Sequence, residues 1–300
     1  MNTKDLYYSI AGLTLRIRIP AAMTEHLPAS FVPFRSDGSE SHPALTAAVG
    51  TAPIALPAGS RLLDDTVSDM GRVTLHSLPD GSYLIRLRDC YSSVHSLVAD
   101  PGFSSAEISL SQSSAATTPA LGSLLRIAFS QTVLLHGGIS LHASCVVNQG
   151  HALLFLGKSG TGKSTHARLW VENIPDTSLL NDDNPFVRIL DDGSIRAFGS
   201  PWSGKTPCYK ACSASLQAVT RLCQANENRY IPMADIEAFS TLLPSCSVIK
   251  SSPLLHGALC DTLARISTTV PVGILHCLPD QSAPRLLQQK LTYFIAHHKP

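Results

Sequence analysis

Gly157-Lys158-Ser159-Gly160-Thr161-Gly162-Lys163-Ser164-Thr165 is the stretch on which the reading of this chain turns. It fits the spacing G-x-x-x-x-G-K-[ST], and its context suits that pattern: an aliphatic run at 151–156 precedes it and a helix-compatible run at 166–172 follows. The glycines permit backbone conformations that turn successive N–H groups inward, and a helix N-terminus adds its dipole, so the segment reads as an anion nest. Lys163 is placed to reach the β- and γ-phosphates of a nucleoside triphosphate such as ATP, and the Ser164 hydroxyl to ligate Mg²⁺. The competing reading is a glycine-rich turn that matches the pattern by accident.

Upstream, the runs 141–147 and 151–156 are two β-type segments joined by Asn148-Gln149-Gly150, a loop suited to a hairpin. Before them, Leu121, Leu124, Leu125, Ala128, Phe129 and Thr132 recur at helical spacing, which predicts a helix over 121–135 with one buried face. Downstream, Leu179-Leu180-Asn181-Asp182-Asp183 ends a short apolar run with two adjacent carboxylates. At the carboxyl end of a strand beside the loop, such a pair can hold Mg²⁺ and accept a proton from an attacking hydroxyl. Taken alone it is also an ordinary solvated turn. A hairpin is expected over 186–198, turned by Asp191-Asp192-Gly193, followed by a second Gly/Ser-rich loop at 199–205. Arg188 and Lys205 are candidate cations for the γ-phosphate, or ordinary surface cations. The tail reads as a helix at 253–266, a strand at 270–278 and a closing helix at 279–297.

The combination of Leu141-His142-Ala143, the 157–165 loop and Asn181-Asp182-Asp183 resembles the HPr kinase/phosphorylase family, which shares a superfamily with phosphoenolpyruvate carboxykinases. The resemblance covers about 121–187. It implies an α/β (α+β) fold, a mixed-sheet P-loop kinase domain of HPr kinase/carboxykinase type. It further implies that His142 sits near the transferred phosphate, that Asp182 exchanges a proton with the acceptor hydroxyl, and that Asp183 helps bind Mg²⁺. The chain departs from the family at Thr165, where Glu is common, and at Ala143, where Gly is usual. It also has no counterpart of the family's Arg/Asn-rich C-terminal signature. The expected acceptor is therefore a hydroxyl of a peptide, a protein or a small molecule other than HPr. A nucleotide-responsive binding module without turnover, and a carboxykinase-like enzyme, remain the alternatives.

The first third reads differently. Alternating segments at 13–19 and 82–87, cut short by frequent Pro and Gly, suggest a small β-rich domain whose role is not legible. The Ser/Ala/Thr-rich stretch 104–119 looks like a connector, so the expected domains are 1–118 and 119–300. With 44% hydrophobic and 15% charged residues the chain is too apolar to be disordered. A net charge of +1 with no basic run gives no reason to expect nucleic acid or an acidic membrane surface as partner, and homo-oligomerisation is left open. No apolar run reaches the ~20 residues that cross a bilayer. Eight cysteines without a C-x-x-C pair read as reduced, mostly buried thiols, and with no signal-like N-terminus they point to a cytoplasmic protein. Cys208 and Cys212, four apart, would form half a metal site only if helical.

Overall fold

A computed structural model describes residues 2–38, 42–68, 71–204 and 206–297. The fold is mixed α/β, with two large mixed sheets and two compact units, one comprising 1–135 with 249–255, the other 136–248 with 256–300.

In the first unit, strands β1 (Thr3–Ile10), β2 (Leu13–Pro20), β3 (Arg35–Ser36), β4 (Leu45–Gly50), β5 (Arg61–Ser68), β6 (Gly71–Ser77), β7 (Tyr83–Arg88), β8 (Val94–Ala99) and β9 (Ser105–Ser109) form one sheet. Their order is β3-β1-β2-β4-β9-β8-β7-β6-β5. Only the pairs β2·β4 and β4·β9 are parallel. Helix α1 (Thr118–Thr132) packs on β4, β8 and β9. Its stripe of Leu121, Leu124, Leu125, Ala128, Phe129 and Thr132 is buried, as its spacing predicts.

Two expectations need correction here. The stretch 104–119 is not a connector throughout, because 105–109 is a strand seated between β4 and β8. Ala106 and Ile108 are buried while Ser105 and Glu107 are exposed, the period-two pattern of a strand with one covered face. Its small, nearly uncharged side chains look like a linker only when the two neighbouring strands are unknown. Helix α1, placed by the sequence reading in the second domain, lies on the N-terminal side of the division. Helical periodicity reports that a face is buried, not what buries it.

The second unit contains β10 (Gly138–Ser140), β11 (Ala143–Asn148), β12 (His151–Leu156), α2 (Lys163–Asn173), β13 (Thr177–Asp183), β14 (Phe186–Ile189) and β15 (Ile195–Phe198). It continues with β16 (Ser213–Gln224), β17 (Arg229–Met233), α3 (Asp235–Leu242), most of α4 (Pro253–Thr269), β18 (Val272–Cys277) and α5 (Ser282–His297). Strand order is β10-β14-β15-β16-β12-β11-β13, and β18 pairs with both β16 and β17. The 148–150 and 191–193 hairpins form as expected, Gln149 and Gly150 supplying the positive φ of 48° and 81° that so tight a turn needs. Along α2, His166, Ala167 and Trp170 recur at helical spacing and are buried, and Ile174 just beyond the helix is buried too. With Leu287 and Leu291 of α5 they cover a face of the sheet carrying Val146, Leu153 and Phe155. That packing fixes where the N-terminus of α2 meets the end of β12.

Among the described residues, no helix is long and apolar enough to cross a membrane. All eight cysteines are free thiols. Cys145 and Cys208 are buried, whereas Cys90 and Cys212 are exposed, so burial is less general than their composition suggests. Cys208 and Cys212 lie on a non-helical segment, which removes the spacing argument for a shared metal.

Candidate functional site

Strand register builds the site. Strand β11 runs antiparallel to both β12 and β13, pairing Ala143 with Leu156 on one side and with Asp183 on the other. The start of β11, the end of β12 and the end of β13 therefore coincide at one edge of the sheet. His142, the 157–165 loop and the acidic pair leave the sheet there side by side, although some forty residues separate His142 from Asp183 in sequence. Crevices at the carboxyl ends of strands are where open α/β sheets bind ligands.

The loop from Gly157 to the start of α2 is held by its own polar groups. Thr161 donates to the Lys158 carbonyl through both its N–H, 3.1 Å, and its Oγ1, 2.7 Å. Gly160 and Gly162 have φ of 79° and 102°, and a Cβ there would meet nothing within 4 Å, so the need for glycine is conformational and not steric. Lys158, Ser159, Gly160 and Ser164 are exposed, and Thr161 and Thr165 are half-buried. Lys163 is buried, its Nζ donating to Gly157 O at 3.0 Å and to Lys158 O at 3.4 Å. Burial pushes its pKa down, and the nearby Asp183 and Asp182 carboxylates work in the opposite direction. A lysine so placed senses both acids without yet touching either.

Asp182 is only 2% exposed. Its Oδ1 accepts a 2.5 Å hydrogen bond from the Ser144 hydroxyl on the adjacent strand. Its Oδ2 is buried and has no hydrogen-bond partner among the described residues. A buried carboxylate oxygen left unpaired costs far more than a neutral group and is unusual in a settled interior. Asp183 has a φ of 136°, a conformation rare outside glycine, which concentrates backbone strain at the same spot. Its Oδ1 lies 3.4 Å from Nε2 of the half-exposed His142, and its Oδ2 accepts from Asn184 Nδ2 at 2.6 Å. The reading of Asp182 and Asp183 as a freely solvated turn does not describe them.

The second Gly/Ser-rich loop is fastened to this acidic strand. Buried Asn181 directs its Nδ2 at carbonyl and hydroxyl oxygens of that loop, the shortest contact being 3.0 Å to Trp202 O, and its Oδ1 accepts from Asn184 N–H at 2.9 Å. Ser203 Oγ donates to Asp182 O at 3.1 Å, and the Gly204 N–H donates to the same oxygen. A Cβ on Gly204 would stand 3.1 Å from Asp182 O and 3.2 Å from Asp183 Cβ, so glycine is what lets the loop come this close. Lys205 lies outside the described residues. Arg188, on β14, pairs with Gly138 and so sits two residue pairs, about 7 Å, back from the Ser140/Phe186 end through which the chain passes to His142. Its Nε donates to His136 O at 3.1 Å, and burial lowers its pKa, with Asp191 opposing.

Two contributors escaped the sequence reading. Ser144 carries no motif and becomes legible only through cross-strand pairing, while Asn181, already part of the acidic motif, was given no role of its own. Strand β16 lies parallel to β12, with Arg221 opposite Leu156, so its last residues run past the loop. Gln224 there directs its Nε2 at Gly160 O, 3.4 Å, and Thr161 O, 3.5 Å. The alternation of Ala214, Leu216 and Ala218 with less buried residues was an available signal for this strand.

No protein-family model and no curated protein matches the chain. Among solved structures it is similar to the HPr(Ser) kinase/phosphatase from Coxiella burnetii, at 12% identity over 52% of this chain and 90% of that one, with a TM-score of 0.31. Similarity at that level transfers no residue roles.

Proposed function

We propose that the second unit is an ATP-dependent phosphotransferase that moves the γ-phosphoryl group to a hydroxyl of a peptide, protein or small molecule. The loop N–H groups and Lys163 bind the triphosphate, with Lys163 exchanging its bonds to Gly157 O and Lys158 O for phosphate oxygens. Asp183 and Ser164 are the groups to hold Mg²⁺. One carboxylate and one hydroxyl are enough, because Mg²⁺ in such sites keeps waters and takes phosphate oxygens as its remaining ligands. Bound there, the ion would neutralise charge on the phosphates.

The observation that carries this reading is Asp182. Ser144 holds one oxygen and fixes the carboxylate's orientation, Oδ2 is buried and unpaired among the described residues, and strand register sets this end of β13 beside the strand that leads into the loop. Such an oxygen can take the proton of an incoming hydroxyl once that hydroxyl displaces the packing that now covers it. The acceptor oxygen forms a bond to the γ-phosphorus, the bond from that phosphorus to the bridging oxygen breaks, ADP leaves, and the hydroxyl proton passes to Asp182 Oδ2. His142, against Asp183, borders the same space. The shared pattern His142, 157–165, Asp182-Asp183 supports an HPr-kinase-like chemistry, and a cytoplasmic setting belongs to the same reading.

Transfer from γ-labelled ATP in the presence of Mg²⁺, to acceptors in a native lysate, tests it. Label is expected in at least one hydroxyl-bearing acceptor, and Asp182→Asn is expected to cut the rate by about 10²–10⁴-fold while ATP still binds. Binding without any transfer, unaltered by Asp182→Asn, would overturn the transferase and leave a nucleotide-responsive module.

A further inference from the structure

A cavity of about 530 Å³ opens at the end of the second sheet opposite the 157–165 loop, and nothing in the chemistry above uses it. Strand β12 runs parallel to β16, with His151 paired to Ser215, and β18 runs parallel to β16, with Val272 paired to Val219, so the amino ends of these strands lie together there. His151 opens β12 and Leu156 closes it, so roughly 17 Å of strand separate the cavity from the loop. Its floor is apolar: Leu216, Val270 and Val272 are buried, and Met233 and Phe294 are half-buried. Its rim is polar, with Gln217, the start of α3 at Ala234-Asp235 and the end of α4 at Ser267–Thr269. All of these residues belong to the second unit. Size and character are those of a small-molecule site, about 300–1,000 Å³ with apolar walls and a few placed polar groups.

The rim is rich in acceptors and negative in sign. Helix α4 brings its carboxyl end to the cavity, where unsatisfied carbonyls and the helix dipole concentrate partial negative charge. The Val270 N–H donates to Ile266 O at 2.9 Å, but the next residue is Pro271, which has no N–H to give to Ser267 O. The hydroxyl protons at this end are directed into the helix itself: Ser267 Oγ donates to Ala264 O at 3.0 Å, and Thr268 Oγ1 to Ala264 O at 3.0 Å and Arg265 O at 3.1 Å. What these hydroxyls have left to offer is lone pairs. Across from them, Asp235 is exposed, and among the described residues no ion pair or hydrogen bond engages its carboxylate. No Lys or Arg is among the lining residues, and His151 is the one basic side chain there.

We propose that this cavity is a binding site for a small organic ammonium ion, a molecule with an apolar body and a protonated amine at one end. The proposal is independent of the phosphate loop, because the two sites lie at opposite ends of β12. An ammonium group carries donors and a positive charge, which is what a rim of helix carbonyls, hydroxyl lone pairs and one carboxylate lacks. An anion would meet a helix end of its own sign. A bare metal ion would leave the floor of Leu216, Val270 and Val272 uncovered, whereas an apolar body removes that surface from water. Phe294 adds an aromatic ring, a surface to which ammonium groups are attracted.

Met233 provides the test. The chain has four methionines, so the full-length protein labelled at its methionine methyls gives a magnetic-resonance spectrum in which the Met233 signal is identified by its loss in Met233→Leu. Three probes of one shape are titrated: 2-phenylethylammonium, neutral 2-phenylethanol and anionic 3-phenylpropionate. The ammonium is expected to move the Met233 signal to saturation, the alcohol to bind at least tenfold more weakly, and the carboxylate to leave the signal in place. Asp235→Asn is expected to weaken the ammonium at least fivefold and leave the alcohol unchanged. Ala234→Trp, which places a large ring at the rim, is expected to abolish the ammonium response with an unchanged unfolding midpoint. A Met233 signal that no probe moves, or that all three move at the same concentration, would overturn the assignment without touching the phosphate loop. So would a Met233 signal that shifts on dilution of the protein alone, which would give the cavity to contact with a second copy of the chain.

Discussion

The acids of the first unit and the acidic pair at the end of β13 are held in opposite ways. In the first unit, acids serve the fold. Asp5 meets Arg16 and Arg18, Asp65 meets Arg72, and Asp100 accepts N–H groups from Gly102 at 3.0 Å and Ser105 at 2.6 Å, fixing the turn into β9. Asp89 likewise gathers the N–H groups of Tyr91 and Ser93 and the ring of His95. In the second unit, Asp182 is more deeply buried than any of these and yet keeps one oxygen without a partner among the described residues, beside a strained Asp183 and a buried lysine. Groups that could be satisfied locally have been left poised at a single edge of one sheet. Proteins tolerate such cost where function needs it, and that is why the edge, and not the larger set of hydrogen-bonded acids, marks the site.

The sharpest way to break this contrast is at Asp182. Asp182→Asn removes a buried charge and keeps an acceptor for Ser144, so transfer is expected to fall by the 10²–10⁴-fold given above while the unfolding midpoint holds or rises. A variant that lost both activity and several degrees of stability would make Asp182 a structural acid like the others.

The next largest effect is expected from His166, which ties α2 to the core beneath the loop. Its folded-state pKa of about 4 lies below the ordinary 6.5, so the unfolded chain takes up the proton first. Stability is therefore complete above pH 6.5 and is lost as the pH falls from there through about 4, by about 3 kcal/mol in all. Denaturant melts of wild type and His166→Gln across that window check it: the wild type should carry the extra slope, and parallel profiles would show that this ring does not titrate with unfolding.

Asp100→Ala, in the first unit, supplies the smaller counterpart. Two N–H groups lose their acceptor, which is expected to lower stability by about 1–3 kcal/mol with no change in nucleotide binding. Weakened ATP binding in Asp100→Ala would mean that the two sheets are not functionally separate.

Much of the second unit was legible before the structure, for definite reasons. The 157–165 pattern sets glycines at two positions that have positive φ, the hairpin turns follow from their own turn residues, the run at 166–172 lies within α2, and in the first unit the stripe of α1 follows from helical period. What stayed hidden depends on pairing between distant segments. That Ser144 would face Asp182, that Asn181 would fasten the 199–205 loop, and that β16 would carry Gln224 past the loop are all consequences of register, which no local pattern states. The same holds for β9, whose sparse Ala106 and Ile108 make a strand only between β4 and β8. Arg188 was named for its nearness in sequence to the acids, and the β10·β14 register sets it opposite Gly138, where its Nε donates to His136 O.

The most direct measurement is the affinity of the full-length protein for Mg²⁺ with a non-hydrolysable ATP analogue, compared with Lys163→Ala. One molecule is expected to bind per chain, and loss of the Lys163 charge is expected to weaken it about 10- to 100-fold, the worth of a hydrogen bond to a charged group. No binding by the wild type, or equal binding by Lys163→Ala, would contradict a triphosphate site at this loop.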